Sequence, residues 1–391
     1  MISVREAKAI ASQNCPKGSP IKVNLFNSVD LVNAKDIHSP IYVPSFDNSA
    51  MDGYAFAWSD RKAIKNASHT MAAGDQPNHE LLQNTACRVF TGAPIPKGAD
   101  TVIPQEMVTD REGVLSFDLE KISKGANVRR KGTQSVPGDK ILAEGAIISP
   151  GTIGLLASLG IANIEVFGAP SVAVLVVGSE LKEVGTTLYP GQIYNTNGPV
   201  IISYLKKLGI KVIEVFNIKD DPKSVLKAID LATKKHDFTI ISGGISVGDY
   251  DFVKKSLVES GVRKLFHKVK HRPGKPLYLG TKSARLIFGL PGNPAAVISC
   301  FLQYVKPMIL QWMGFKNTWE PSTYLALEDS FSGKSQFTYF LKARRNEYSV
   351  SILPGQESFN LNSFGEANCM VEIPEGRLEC QKGDRVAIYD W

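Results

Sequence analysis

The run SVAVLVV, Ser171 to Val177, is almost continuously β-branched or aliphatic and stops abruptly at Gly178-Ser179-Glu180-Leu181. A strand that is apolar at every position must be buried on both faces, the condition of a central strand in a parallel sheet covered by helices. KVIEVFNI (Lys211 to Ile218), FTIIS (Phe238 to Ser242) and LIFGL (Leu286 to Leu290) repeat the pattern. Segments of helical period separate them: one capped by Asn197 and running through Leu208, one from the KDDP turn to about Lys234, and one over Val253 to Val262. This alternation predicts an open α/β sheet, whose ligands lie beyond the carboxyl ends of its strands. The four strand ends finish in GSEL, KDDP, SGGISVGDYD and PGNP, and these loops are expected to converge. A single such loop carries Gly, Asp and Pro for turn reasons alone; the repetition at one edge is what points to a site.

The third loop holds the most chemistry. Gly243 and Gly244 permit positive φ and a close approach to a ligand, while Ser242 and Ser246 add hydroxyls to backbone N–H groups that point one way, so the loop predicts an anion site. Asp249 and Asp251, just beyond, would repel a bare phosphate, which implies a divalent cation bridging carboxylate and phosphate. In Pro291-Gly292-Asn293-Pro294, Asn293 is placed to cap and Pro294 to begin a long apolar helix, Ala295 to Met313, with a kink expected near Pro307.

On either side of the sheet the texture differs. A small helix is predicted from Ser3 to about Gln13. The stretch PSFDNSAMDGYAF (Pro44 to Phe56) follows, in which Asp47, Asn48, Ser49 and Asp52 either hold a metal or make caps and Asx-turns. Tyr54 to Val136 is β-rich and punctuated by Gly and Pro, and it leads to VRRKG. There Arg129-Arg130-Lys131 reads equally as a solvated charge run and as an anion fork beside Gly132. After Gly314 short alternating strands predict a small barrel or sandwich. The net charge of +7 reads equally as a solubilising surplus and as a preference for an anionic partner. The basic residues are scattered without aromatic interleaving, which points to an anionic small molecule and away from nucleic acid. Arg5 and Lys8 interrupt any signal-like stretch and no uncharged apolar run reaches membrane-spanning length, so a cytoplasmic protein without a membrane segment is expected. The five cysteines form no C-x-x-C pair, against a cysteine zinc site.

PSFDNSAMDGYA, FTGAPIPKGADTVIPQE, VRRKG, GQIYNTN, SGGISVGDYDF, PGKP and GLPGNP, in this order, resemble the molybdopterin molybdenumtransferase family, also called MoeA or molybdenum insertase, to which the gephyrin E domain is similar. The resemblance spans almost the whole chain. It implies a multidomain α/β plus β architecture: a discontinuous N-terminal domain (1–45 with 137–168), an inserted β-rich domain (46–136), an α/β molybdopterin-binding domain (169–314) and a C-terminal β-barrel (315–391). It also implies a homodimer with active sites shared between subunits. The implied reaction takes adenylylated molybdopterin and molybdate, cleaves the pyrophosphate link to release AMP, and inserts molybdenum into the dithiolene with the help of Mg²⁺.

Carried over by motif, the acidic and polar set is Asp52, Thr91, Glu180, Asp221, Asp249 and Asp251, of which Glu180, Asp249 and Asp251 would serve the cation. Asp52 and Thr91 are expected from the partner subunit. Ser242, Gly243, Gly244 and Ser246 would hold the terminal phosphate, and Arg129, Arg130, Arg272 and Lys275 would neutralise pyrophosphate or molybdate. Pro291, Gly292, Asn293 and Pro294, together with Ser358, would complete the substrate surface. Two strings depart from the family pattern: Gly178-Ser179-Glu180-Leu181 stands where GDEL is usual, and Gly132-Thr133-Gln134 where Gly-Glu-Asp is usual. The missing carboxylates leave room for a paralogue that binds molybdopterin as a scaffold with weakened catalysis. The sheet domain is also similar to small pterin-adenylylating enzymes, a third reading.

Overall fold

Ser3 begins helix α1 (Val4–Gln13) through a capping box: its hydroxyl accepts the Glu6 N–H, and the Glu6 carboxylate accepts the Ser3 N–H at 2.8 Å. Val4, Ala7 and Ala11 form its buried stripe. The computed structural model describes residues 1–245, 252–334 and 336–391. The chain divides into two units, Met1–Ile21 with Val166–Trp391, and Lys22–Glu165.

In the first unit β1 (Val172–Val177), α2 (Asn197–Lys207), β2 (Ile213–Ile218), α3 (Pro222–Lys235) and β3 (Phe238–Ser242) follow one another. Then come α4 (Phe252–Glu259), β4 (Arg263–His267), β5 (Tyr278–Lys282) and β6 (Arg285–Leu290). The sheet order is β2-β1-β3-β6-β5-β4; the first four strands are parallel, and β5 and β4 are added antiparallel at the edge. As the uninterrupted apolar run of β1 requires, both of its faces are buried. Val172, Val174 and Val176 pack in the core that contains α1, whereas Ala173, Leu175 and Val177 pack with Val225 and Ile229 of α3 and with Val253 and Leu257 of α4.

Two expected caps take other partners. Asn197 lies inside α2, and its side-chain amide donates to the Gly292 carbonyl at 2.7 Å; Asn195 accepts the Gly198 N–H instead. Asn293 does stand at the N-cap position of α5 (Pro294–Cys300), with Pro294 as first helical residue, yet its side chain makes no cap bond and donates to Ser358 Oγ at 2.9 Å. In both cases a tertiary hydrogen bond to a cleft residue displaces the local one. The helix expected to kink near Pro307 widens into a π turn over Phe301–Val305 and resumes as α6 (Lys306–Trp312), so the irregularity absorbs the bond that Pro307 cannot donate.

The chain then closes a five-stranded barrel from β7 (Thr323–Leu327), β8 (Thr338–Arg345), β9 (Ser349–Ile352), β10 (Cys369–Ile373) and β11 (Arg385–Asp390), in ring order β8-β9-β7-β11-β10 and back to β8. His271–Arg272 pairs in parallel with Thr338–Tyr339 and so ties the sheet domain to the barrel. Lys8 of α1 adds a second tie, donating to Tyr389 Oη at 2.9 Å while Tyr389 donates to Glu372 at 2.7 Å.

The second unit is β-rich, as its sequence predicts. Its central sheet has the order Ala67–Met71, Ala86–Val89, Gly53–Phe56, Thr101–Pro104. Ala55, Met71, Cys87, Val89 and Val102 are buried together on one side, and Phe56, Ala86, Ile103 and Leu115 on the other. Among the described residues no helix is long and apolar enough to cross a membrane.

Candidate active site

Because β2, β1, β3 and β6 are neighbouring parallel strands, the loops that follow them emerge at one edge of the sheet. Gly243 and Gly244 stand there with φ of +89° and +67°. A Cβ on Gly243 would run into the Val177 carbonyl, and one on Gly244 would lie 2.5 Å from Val253 Cγ2. The glycine pair is therefore demanded by both the backbone angle and the space. Ser242 is buried at the end of β3. Ser246, Asp249 and Asp251 lie outside the described residues.

Two hollows share this edge. The larger, about 1000 Å³, lies between the sheet domain and the barrel; Gly244, Arg272, Lys275, Pro291, Gly292 and Asn293 line it from the sheet side, and Lys334, Gln356 and Ser358 from the barrel side. Its described lining carries the cations Arg272, Lys275 and Lys334 and no carboxylate. The Arg272 guanidinium sits 4.4 Å from the ring centre of Phe337, which fixes it without neutralising it. By composition the cleft suits an anion. The turn Pro291-Gly292-Asn293 is pinned from both sides, by Asn197 on Gly292 and by Asn293 on Ser358. Sequence reasoning missed Lys334 and Gln356; the Gly333-Lys334 turn carries no chemistry-bearing pattern, and only the barrel's closure brings it to the sheet edge.

The smaller hollow, about 560 Å³, lies over the ends of β1 and β2, with Ser179, Lys182, Glu183, Asn195, Asn217 and Lys219 in its lining. Ser179 accepts the Asp220 N–H at 3.2 Å and so joins the GSEL and KDDP loops. Asp221 is the N-cap of α3, accepting the Ser224 N–H at 2.9 Å, which accounts for its carboxylate structurally. Asp220, which sequence reasoning passed over, is the more exceptional acid: burial, then Glu180, then Asp221 push its carboxyl above the usual range. Glu180 and Asp220 are hard oxygen donors in repulsion, a donor set that suits Mg²⁺. Among the described residues no group of three metal-capable side chains gathers.

Within the second unit, Asp52 Oδ1 accepts both the N–H and the hydroxyl of Thr91, each at 2.7 Å. Asp47 receives the Arg130 guanidinium at 2.7 Å and the Lys131 N–H at 2.7 Å, so the basic run is held onto the DNSAMDG segment. Arg129 pairs in register with Asn48.

A parallel sheet with a glycine-rich turn at its strand ends, and a cationic cleft closed by a barrel, defines an α/β protein built to handle an anionic ligand. Its residues 2–160 match the MoeA N-terminal region (domain I and II), 173–311 the probable molybdopterin binding domain, and 324–391 the MoeA C-terminal region (domain IV). It is 34% identical to the molybdopterin molybdenumtransferase of Haemophilus influenzae over 99% of this chain and 98% of that one. To the molybdopterin molybdenumtransferase of Staphylococcus aureus strain MSSA476 it is 33% identical, over 94% and 90%. The molybdopterin biosynthesis MoeA protein from Pyrococcus horikoshii superposes with a TM-score of 0.86 at 27% identity, over 100% of this chain and 99% of that one. The chain belongs to the molybdopterin molybdenumtransferase (MoeA) family.

Proposed function

We propose that this protein is a molybdenum insertase of molybdenum cofactor biosynthesis: it takes adenylylated molybdopterin and molybdate, cleaves the pyrophosphate link with release of AMP, and delivers molybdenum to the dithiolene. The observation that carries the reading is the cleft whose described lining presents Arg272, Lys275 and Lys334 without a carboxylate, beside the Gly243-Gly244 turn. Molybdate is a dianion and the pterin ends in phosphate, so both need cations and backbone donors. Carboxylates serve such a reaction only through a cation, a positioned water or a proton. Glu180 and Asp220 would hold Mg²⁺, with Asp249 and Asp251 as further donors, and the ion supplies neutralisation of phosphate charge. Ser242, Gly243, Gly244 and Ser246 take the terminal phosphate, and Asn293 and Ser358 wall the anion.

Asp52, buttressed by Thr91, is the remaining acid of the reaction, and Arg129 and Arg130 stabilise the segment around it. The chain works as a homodimer of four-domain subunits. The decisive experiment supplies the purified protein with adenylylated molybdopterin: AMP is released only when molybdate and Mg²⁺ are both present. Tight pterin binding without AMP release would establish a scaffold instead, the reading favoured by Ser179 and Gln134 standing where the family carries acids. ATP consumption with bare molybdopterin would establish an adenylylating enzyme.

A further inference from the structure

Lys342 lies on β8 with 3% of its surface exposed. Its ammonium donates to the carbonyls of Gly355 and Asn360, the latter at 2.8 Å, and stands 5.2 Å from the ring centre of Phe364. Among the described residues no carboxylate comes within ion-pair distance of it; Glu357, exposed on the same loop, acts only at longer range. A buried ammonium satisfied only by neutral carbonyls is costly compared with an apolar side chain of the same length. Burial accordingly draws the Lys342 pKa below the usual lysine value. The position is therefore explained by what the ammonium holds.

What it holds is one loop, the connection between β9 and β10. The main chain of Lys342 grips the same loop: its N–H donates to Gln356 Oε1 at 3.0 Å, and its carbonyl accepts from Gln356 Nε2 at 2.8 Å. Ser363 donates to the Pro354 carbonyl, and Gly355 adopts φ +71°, where a Cβ would lie 2.6 Å from Asn360 Nδ2. The loop thus folds tightly around the ammonium. Its outer side faces the cleft: Gln356 and Ser358 line it, Ser358 Oγ accepts from Asn293, and the Ser358 carbonyl accepts the Ala295 N–H at 3.3 Å.

We propose that Lys342 is a positioning residue of the anion cleft: by tying the Gly355 and Asn360 carbonyls to β8 it sets loop 353–361 so that Gln356 and Ser358 wall the site against Pro291-Gly292-Asn293. The proposal rests on the anion-cleft reading given above.

The test measures molybdate binding by calorimetry together with hydrogen–deuterium exchange over 353–361, in wild type, Lys342→Met and Lys342→Arg. Lys342→Met should weaken molybdate binding about tenfold, raise KM for molybdate with kcat nearly unchanged, and speed exchange of the loop, with the melting temperature close to wild type. Lys342→Arg, which keeps a buried donor, should recover most of the affinity. Equal molybdate affinity and equal loop exchange in wild type and Lys342→Met would overturn the proposal. Should the wild type bind no molybdate, the functional reading fails on its own. Loop exchange then still decides whether Lys342 positions the loop. Should Lys342→Met not fold, the wild type must show the loop slowed in exchange by added molybdate, and an unaffected loop overturns the proposal.

Discussion

Asp52 Oδ1 takes two hydrogen bonds from Thr91, one from its hydroxyl and one from its backbone N–H, each at 2.7 Å. First the hydroxyl and then the N–H hold the Asp52 carboxyl below the usual carboxylate range. The carboxylate form is therefore favoured over that of an ordinary aspartate and is oriented through one oxygen. Asp52→Ala should abolish AMP release while moving the melting temperature by no more than about 3 °C. Asp52→Asn should keep the fold and lose turnover as well. A collapse of thermal stability in both variants would show that Asp52 serves only to staple the Thr91 turn. Since its folded pKa is depressed, its contribution to stability is present above the ordinary aspartate pKa and is lost as pH falls through the lower, folded value.

Gly243 has φ +89° and no room for a Cβ against the Val177 carbonyl. Gly243→Ala should cost on the order of 2 kcal/mol or more, from left-handed strain and the displaced contact, and should abolish pterin binding. Gly292→Ala is the control from the neighbouring loop. Nothing lies within 4 Å of its Cβ, and its φ is not in the left-handed region; it should fold with wild-type stability. Equal stability of the two variants by chemical denaturation would remove the claim that the Gly243 turn is sterically specified.

Lys275 and Lys334 enter one cleft from opposite sides, Lys275 from the sheet domain and Lys334 from the barrel. Each charge-assisted contact to an oxyanion is worth roughly 1.5–3 kcal/mol. Lys275→Gln and Lys334→Gln should thus each weaken molybdate binding by about ten- to hundredfold, and the residual binding should depend less steeply on salt. Calorimetry at two ionic strengths checks this. A Lys334 variant that binds like wild type would remove the barrel from the site.

The four loops were legible because strand ends in a parallel sheet share an edge, and the period of SVAVLVV and its successors identifies the strands. The C-terminal strands were legible as rhythm, which left barrel and sandwich open, and the approach of the closed barrel to the sheet was not legible. It depends on His271–Arg272 pairing with Thr338–Tyr339, a bridge between segments far apart in sequence. Lys334, Gln356 and Lys342 were invisible for the same reason. Asn197 and Asn293 show the opposite failure: local cap chemistry predicts one partner, and a tertiary acceptor, Gly292 or Ser358, takes the side chain. Asp221 and Asp220 are adjacent in sequence, and only the structure separates the one spent on capping α3 from the one under electrostatic pressure.

That pressure on Asp220 has a definite sign. Burial, Glu180 and Asp221 raise its folded pKa above the unfolded value, so the native state holds its proton more tightly. Stability then falls as pH rises through the window from the ordinary aspartate value to the raised one, and the penalty persists at neutral pH. A divalent cation between Glu180 and Asp220 would cancel it. Mg²⁺ should therefore raise the melting temperature at pH 7.5, with a smaller effect at pH 4, where the raised pKa keeps more of Asp220 protonated than an ordinary aspartate. Asp220→Asn should melt higher than wild type in the absence of Mg²⁺ and gain little from its addition. Thermal melts at both pH values, with Ca²⁺ as a second cation, read this directly. An Asp220→Asn protein that is less stable than wild type and still responds fully to Mg²⁺ would place the cation elsewhere and leave Asp220 as a structural acid of the loop.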